Sequence, residues 1–210
     1  MAGPKEISLM VQEGNFKEVE RLIQEALQER LSVQDILNGG LIAGMGVIGE
    51  RFKRNECFVP TVLLAARAMK AGMALLRPML TETGIEYIGK VVLGTVKGDQ
   101  HDIGKNLVGM MLEGAGFEVI DLGTDTPSEK FVEIAREKKA DIVGMSALLT
   151  TTMPSMKTTI EALKSAGLTV KTMIGGALVT QRYADEINAD GFGKDAAVAV
   201  EKAKELIGKG

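Results

Sequence analysis

Two hydrophobic periods divide this chain. From Lys5 to about Thr83 the apolar residues recur at helical spacing: Val19, Leu22, Ile23, Ala26 and Leu27 fall on one stripe, and Ile36, Leu41, Met45 and Ile48 continue it. Pro60 suits the first turn of a further helix, Thr61 to Leu76, which Pro78 is expected to close. The spacing predicts a small helical bundle of roughly four helices. Thr83-Gly84-Ile85-Glu86-Tyr87-Ile88-Gly89 follows neither period. A linker is therefore expected over 85–90, between a helical domain at 1–84 and a second domain at 91–210.

After Lys90 short apolar runs alternate with longer amphipathic ones. Strands are predicted at Val91–Val96, Glu118–Leu122, Asp141–Ser146 and Val170–Ile174, with a weak one near Gly191-Phe192. Helices are predicted at Ile103–Gly116, Ser128–Lys138, Met153–Ala166, Gln181–Asn188 and Ala196–Ile207. Runs such as Val91-Val92-Leu93 are apolar throughout, as in strands covered on both faces. The expected fold is thus α/β: a helical bundle followed by a doubly wound, flavodoxin- or Rossmann-like domain with a five-stranded parallel sheet. In such a sheet ligands bind beyond the carboxyl ends of the strands, where the strand order reverses between the first and third. The loops Gly98–Gly104, Ser146–Thr152 and Gly175–Ala177 are expected to converge there.

Composition narrows the chemistry. The 210 residues are 45% hydrophobic and 25% charged, ordinary values for a globular protein. A formal charge of −3, spread without a basic block, speaks against a nucleic-acid partner. Cys57 is alone, so no internal disulfide forms, in keeping with a reducing cytoplasm. Neither the N-terminus nor the short apolar runs read as a signal peptide or membrane span. Twelve methionines without a tryptophan fit irregular core gaps or a large flat ligand equally well.

The single histidine, His101, stands two residues from Asp99 in a glycine-bracketed loop. Imidazole is both a metal ligand and the usual proton carrier near neutral pH. Gly94, Gly98 and Gly104 lack dinucleotide-loop spacing, and no phosphate-binding P-loop occurs. The third strand ends in Met145-Ser146 rather than the aspartate of a phospho-receiver. There is no zinc cluster, no facial triad and no nucleophile elbow. One nitrogen ligand among glycine- and hydroxyl-rich loops suits a metal already held by a macrocycle.

Asp99-x-His101-x-x-Gly104, Ser146-x-Leu148 and Gly175-Gly176, with about 41 and 26 residues between the blocks, together resemble base-off, histidine-on cobalamin-binding domains. The stretch Val96–Asn106 is similar to the subgroup of methionine synthase and corrinoid methyltransferase proteins. Gly44–Phe52 followed by Phe58-Val59-Pro60 resembles that subgroup's helical cap. The resemblance implies a cobalamin or related corrinoid whose cobalt alternates between methyl-Co(III) and Co(I), with His101 as lower axial ligand. It implies that Asp99 fixes the His101 ring and that Thr152, where the family carries serine, extends a proton relay. Gly98, Gln100, Asp102, Ile103 and Gly104 would complete the loop around the ligand. Ser146, Leu148, Thr150, Gly175, Gly176 and Ala196 would contact the displaced nucleotide tail, the glycines by letting backbone approach it. In the cap, Phe52, Val59, Val62 and Leu63 would cover the cobalt-bound methyl group, and Asn38 falls where the methionine synthase group carries a glutamate.

Each residue also has a plain structural reading. Asp99 suits a helix cap, Ser146 and Thr150–Thr152 suit turns, and Gly175-Gly176 suits a tight turn. Phe52, Val62 and Leu63 suit bundle core, and Cys57 suits packing. The resemblance implies a non-catalytic methyl carrier in the cytoplasm, serving a substrate-specific methyltransferase, an acceptor methyltransferase and a reductive activator as separate polypeptides. The acceptors typical of the family are tetrahydrofolate and coenzyme M. A cap that both shields and delivers the methyl must move, with 84–89 as the hinge. The alternative is a cobalamin-dependent sensor, which would need a DNA-binding segment that the short, acidic N-terminal residues do not resemble. A mutase subunit would share the histidine motif but not the cap.

Overall fold

The computed structural model describes residues 3–83 and 87–209. Apart from the turn Gly114–Gly116, one compact unit runs to Tyr87 and the other begins at Ile88. Residues 84–86, within the expected hinge, lie outside the described residues.

The first unit is helical: α1 (Pro4–Gln12), α2 (Phe16–Gln28), α3 (Val33–Asp35), α4 (Ala43–Lys53) and α5 (Val59–Thr83). Asn15 caps α2 by accepting the Glu18 N–H, and Ser32 caps α3 by accepting that of Asp35. Between α3 and α4 lies a π-helical segment, Ile36–Ile42. The predicted stripe is buried at Val19, Leu22, Ile23, Ala26, Ile36, Leu41, Met45 and Ile48. Hydrophobic periodicity at 3.6 residues cannot separate a π turn from an α turn, so this segment was invisible to it.

Pro78 does not close the last helix, which continues to Thr83 with the proline inside it. An internal proline removes one backbone hydrogen bond. The apolar stripe outweighs that loss, since Leu76 and Leu80, one turn apart, are both buried. The stretch Val59–Leu80 is also long and apolar enough to cross a membrane, with a mean hydropathy of 1.4. In this fold it is the bundle helix that packs on α2 and α4.

The second unit alternates strand and helix: β1 (Lys90–Thr95), α6 (Ile103–Gly114), β2 (Glu118–Asp121), α7 (Ser128–Lys138), β3 (Ile142–Ser146), α8 (Pro154–Ser165), β4 (Lys171–Gly175), α9 (Gln181–Glu186), β5 (Gly191–Gly193) and α10 (Ala196–Leu206). The strands pair in parallel in the order β2-β1-β3-β4-β5. The order reverses between β1 and β3, as the sequence predicts. Phe131, Met156, Ile160 and Leu163 form a core with Val92, Val143, Met145 and Ile174 of the strands. Register aligns Thr95 with Ser146, Ser146 with Gly175, and Gly175 with Gly193. Four strand ends therefore lie in one row, and the loops that follow them share an edge.

Gly94 marks how closely α7 sits on the sheet. A Cβ there would lie 2.7 Å from Phe131 Cζ and 3.0 Å from Cε1. Phe131 is completely buried and has nowhere to retreat. Gly94→Ala is expected to lower stability by about 1–3 kcal/mol through overpacking. Urea unfolding should show a lower midpoint with an unchanged slope; an unchanged midpoint would mean that the contact is slack.

Candidate functional site

β1 ends at Thr95, and the chain then turns through Gly98 at φ +85°, a backbone conformation suited to glycine. The turn points the next residue, Asp99, back into the protein, where its side chain is 0% exposed. One carboxylate oxygen, Oδ1, accepts the backbone N–H of His101 at 3.0 Å and lies 2.7 Å from His101 Nδ1. The other, Oδ2, accepts the N–H of Leu148 at 2.8 Å, that of Leu149 at 3.3 Å and the Thr152 hydroxyl at 2.7 Å. Asp99 therefore ties the loop after β1 to the loop after β3. It does not cap α6, which answers the plain reading of this residue.

Burial alone would raise the Asp99 pKa. The donors outweigh it: the Thr152 hydroxyl, the N–H groups of His101 and Leu148, and the His101 ring together hold the carboxyl far below the usual range. An ionised carboxylate only accepts, so the proton between the two side chains belongs to Nδ1. In the neutral ring the second nitrogen, Nε2, then keeps its lone pair. The His101 side chain is 50% exposed, and among the described residues no hydrogen bond engages Nε2. Paired through Nδ1, the ring presents Nε2 on its exposed side.

Around it, Ile103 is 81% exposed and a Cβ added at Gly104 meets nothing within 4 Å. Gln100 is exposed and accepts the Thr124 hydroxyl at 3.0 Å. Asp102 accepts the Asn106 side-chain amide at 3.0 Å. Ser146 and Leu148 are half-buried at the end of β3, Thr150 is exposed, and Thr152 is buried. Of these, the Asp99 network gathers His101, Leu148 and Thr152. Ser146, Thr150 and Ala196 lie outside it. Ala196 is the buried first residue of α10, behind the capping residue Asp195.

Gly175 and Gly176 have a reason of their own to be glycine. A Cβ on Gly176 would sit 1.9 Å from the Ala147 carbonyl oxygen, and its φ of +136° strains any other residue. On Gly175 it would lie 3.0 Å from the Gly193 oxygen. The loops after β3, β4 and β5 thus require these glycines whether or not a ligand is present. In the helical unit Phe52 is half-buried, Val59 and Leu63 are exposed, and Phe58 just before α5 is strongly exposed. Val62 is completely buried, in keeping with its plain reading as bundle core.

Sequence reasoning missed the loop between β2 and α7. Asp125 Oδ1 accepts the Gly98 N–H at 2.7 Å, and the Asp125 N–H donates to the Asp99 carbonyl at 2.9 Å. Thr95, completely buried, donates its hydroxyl to the His101 carbonyl at 2.9 Å. The one available signal was a hydroxyl closing an otherwise apolar strand. No group of three or more His, Cys, Asp or Glu side chains able to hold a metal ion occurs among the described residues.

Comparison with known proteins connects this geometry to a family. A model described as a B12 binding domain matches residues 89–201, and a second of the same description matches residues 5–77. A corrinoid protein of Desulfitobacterium hafniense is 46% identical over 209 residues, with 97% of each chain covered. Dimethylamine corrinoid protein 1 of Methanosarcina acetivorans is 48% identical over 186 residues, 87% of each chain. Among solved structures, the methanol:cobalamin methyltransferase complex MtaBC of Methanosarcina barkeri superposes with a TM-score of 0.88 at 30% identity, covering 97% of this chain and 79% of that one.

The Asp99 network has a consequence for stability. Its folded-state pKa lies below the unfolded value near 3.9, so the ionised form stabilises the fold above about pH 4, and this contribution is lost as pH falls from there toward the folded value. Asp99→Asn turns an amide toward N–H donors and is expected to cost about 1–3 kcal/mol at neutral pH. It should also flatten the acid limb: between about pH 5 and pH 3 the variant should lose less stability than the native chain. Parallel pH profiles in chemical denaturation would contradict this.

Proposed function

The chain belongs to the B12-binding domain family, and on that premise we propose that it is a methyl-carrying corrinoid protein in which His101 is the lower axial ligand to cobalt. Membership of the family carries corrinoid binding itself. The observation that supports the ligand assignment is the Asp99 carboxylate, which fixes the proton on Nδ1 and leaves Nε2 accessible. The donor set fits the group: one imidazole nitrogen, an open backbone at Gly104 and an exposed apolar Ile103. The macrocycle would bring most of the metal's ligands with it, so one protein nitrogen would be enough.

When bound, the corrinoid supplies a cobalt that accepts a methyl group and gives it up again. The chain's own residues bind, orient and protect. Asp99 holds the His101 ring by its Nδ1 proton, which fixes the direction in which Nε2 points. A second proton taken at Nε2 would create an imidazolium that remains paired with Asp99. Thr152, whose hydroxyl donates to Asp99 Oδ2, is the outer member of that proton route, in place of the serine implied by the family resemblance. Gly98, Gln100 and Asp102 hold the histidine loop in shape. Ser146 and Gly175 end β3 and β4, Leu148, Thr150 and Gly176 lie on the loops that follow, and Ala196 opens α10; we assign them to the nucleotide tail. Phe52, Val59 and Leu63 are assigned to excluding water from the group being carried.

Relatives named for dimethylamine and methanol systems support a small methylated compound as the class of donor. In this reading a substrate-specific methyltransferase loads the protein in the cytoplasm. An acceptor methyltransferase and a reductive activator would be its other partners. The test is cofactor retention. Purified protein incubated with hydroxocobalamin and desalted is expected to keep a corrinoid absorption spectrum. His101→Ala should shift that spectrum and weaken retention at least about tenfold. Equal spectra and equal retention would remove the ligand assignment, and a colourless, folded native protein would remove the carrier reading.

A further inference from the structure

Lys105 breaks two local rules at once. It is the third residue of α6, where the helix dipole disfavours a cation. Its side chain is also only 1% exposed, and a buried charge is costly to desolvate. Such conflicts mark sites where something other than stability is served.

The partners of Lys105 lead to the histidine loop by two routes. Its Nζ donates to both carboxylate oxygens of Asp121, each at 2.6 Å, at the end of β2. Asp121 Oδ1 also accepts the Gly123 N–H at 2.9 Å, which fixes the start of the loop between β2 and α7. That loop grips the histidine loop along its length. The Gly123 carbonyl accepts the Thr95 N–H at 2.9 Å, and Asp125 holds the Gly98 N–H and the Asp99 carbonyl. Thr124 binds the Gln100 side chain. In the second route, Lys105 Nζ donates to Asn106 Oδ1 at 2.7 Å, turning the amide nitrogen toward Asp102 at 3.0 Å. Asp102 is the residue after His101.

We propose that Lys105 is a positioning residue for His101, acting through Asp121 and the β2–α7 loop on one side and through Asn106 and Asp102 on the other. Asp99 fixes the ring from the β3 side. The Lys105 clamp fixes the backbone that carries the ring from the opposite side. Both constraints are needed to hold one tautomer and one direction for Nε2. This inference rests on His101 being the axial ligand.

The test uses full-length protein labelled with 15N-histidine, which reports His101 alone because the chain has one histidine. Lys105→Met keeps the apolar stem, and the Asp121 left behind is 47% exposed and can be solvated. With the ring neutral, the long-range 1H–15N spectrum of the native apoprotein should show one tautomer, protonated at Nδ1. Lys105→Met and Asp121→Asn should show averaged tautomers and bind hydroxocobalamin about tenfold more weakly. The thermal midpoint of Lys105→Met should stay close to the native one, whereas that of Asp121→Asn, which leaves a buried ammonium without its carboxylate, should fall. A native tautomer and native affinity in both variants would overturn the proposal and leave the ligand reading intact. So would a lowered midpoint with an unchanged spectrum, since that is a purely structural role. Should Lys105→Met fail to fold, Asp121→Asn alone decides between these outcomes. A native protein that does not bind the corrinoid, or whose histidine is not held in one tautomer, would bring down the ligand reading itself.

Discussion

A buried carboxylate organises the functional edge of this protein. Asp99 sits in a place where an aspartate without partners would be strongly destabilising, and it is tolerated because it collects donors from two separate loops. Each of those donors depends on the sheet. Thr95 and Ser146 lie side by side in register, so the segments that leave β1 and β3 start as neighbours. A slip of one residue between these strands would turn Asp99 away from Leu148 and Thr152. The chemistry of a single ring nitrogen is thus set by backbone pairing several residues away.

The same constraint explains the division of labour along the edge. The loop after β3 answers the carboxylate, while the loop after β2 answers the backbone on which the carboxylate and the histidine ride. Between them His101 has little freedom left except to expose Nε2. Rigidity of this kind suits a nitrogen whose direction has to be held. The row of glycines at the ends of β4 and β5 serves a complementary purpose. Gly176 lets its loop press against the Ala147 carbonyl, so that the β3 loop, and with it Leu148, is backed by close-packed backbone.

Much of this was legible in the sequence, for identifiable reasons. Unbroken apolar runs such as Val91-Val92-Leu93 announced buried parallel strands, and their alternation with helices fixed the switch point beside His101. The spacing of Asp99 from His101 marked the pair. The path of α5 through Pro78 was not legible, because a local breaker was overruled by the burial of Leu76 and Leu80. Nor was the π-helical segment Ile36–Ile42, whose extra residue per turn leaves no compositional trace. Lys105, Asp121 and Asp125 were passed over because charged residues near helix starts and in turns are ordinary in a sequence. Only the fold shows that one of them is buried and that together they hold the histidine loop.

The account stands or falls on whether Nε2 of His101 is the axial donor. The direct measurement is electron paramagnetic resonance of the protein reconstituted with cobalamin and reduced to the Co(II) state, prepared once with natural histidine and once with 15N-histidine. With a single histidine in the chain, the label changes one residue. The account predicts that the three-line splitting from one axial nitrogen becomes two-line on labelling. A splitting that ignores the label, or that is absent from a protein which retains its corrinoid, would contradict it.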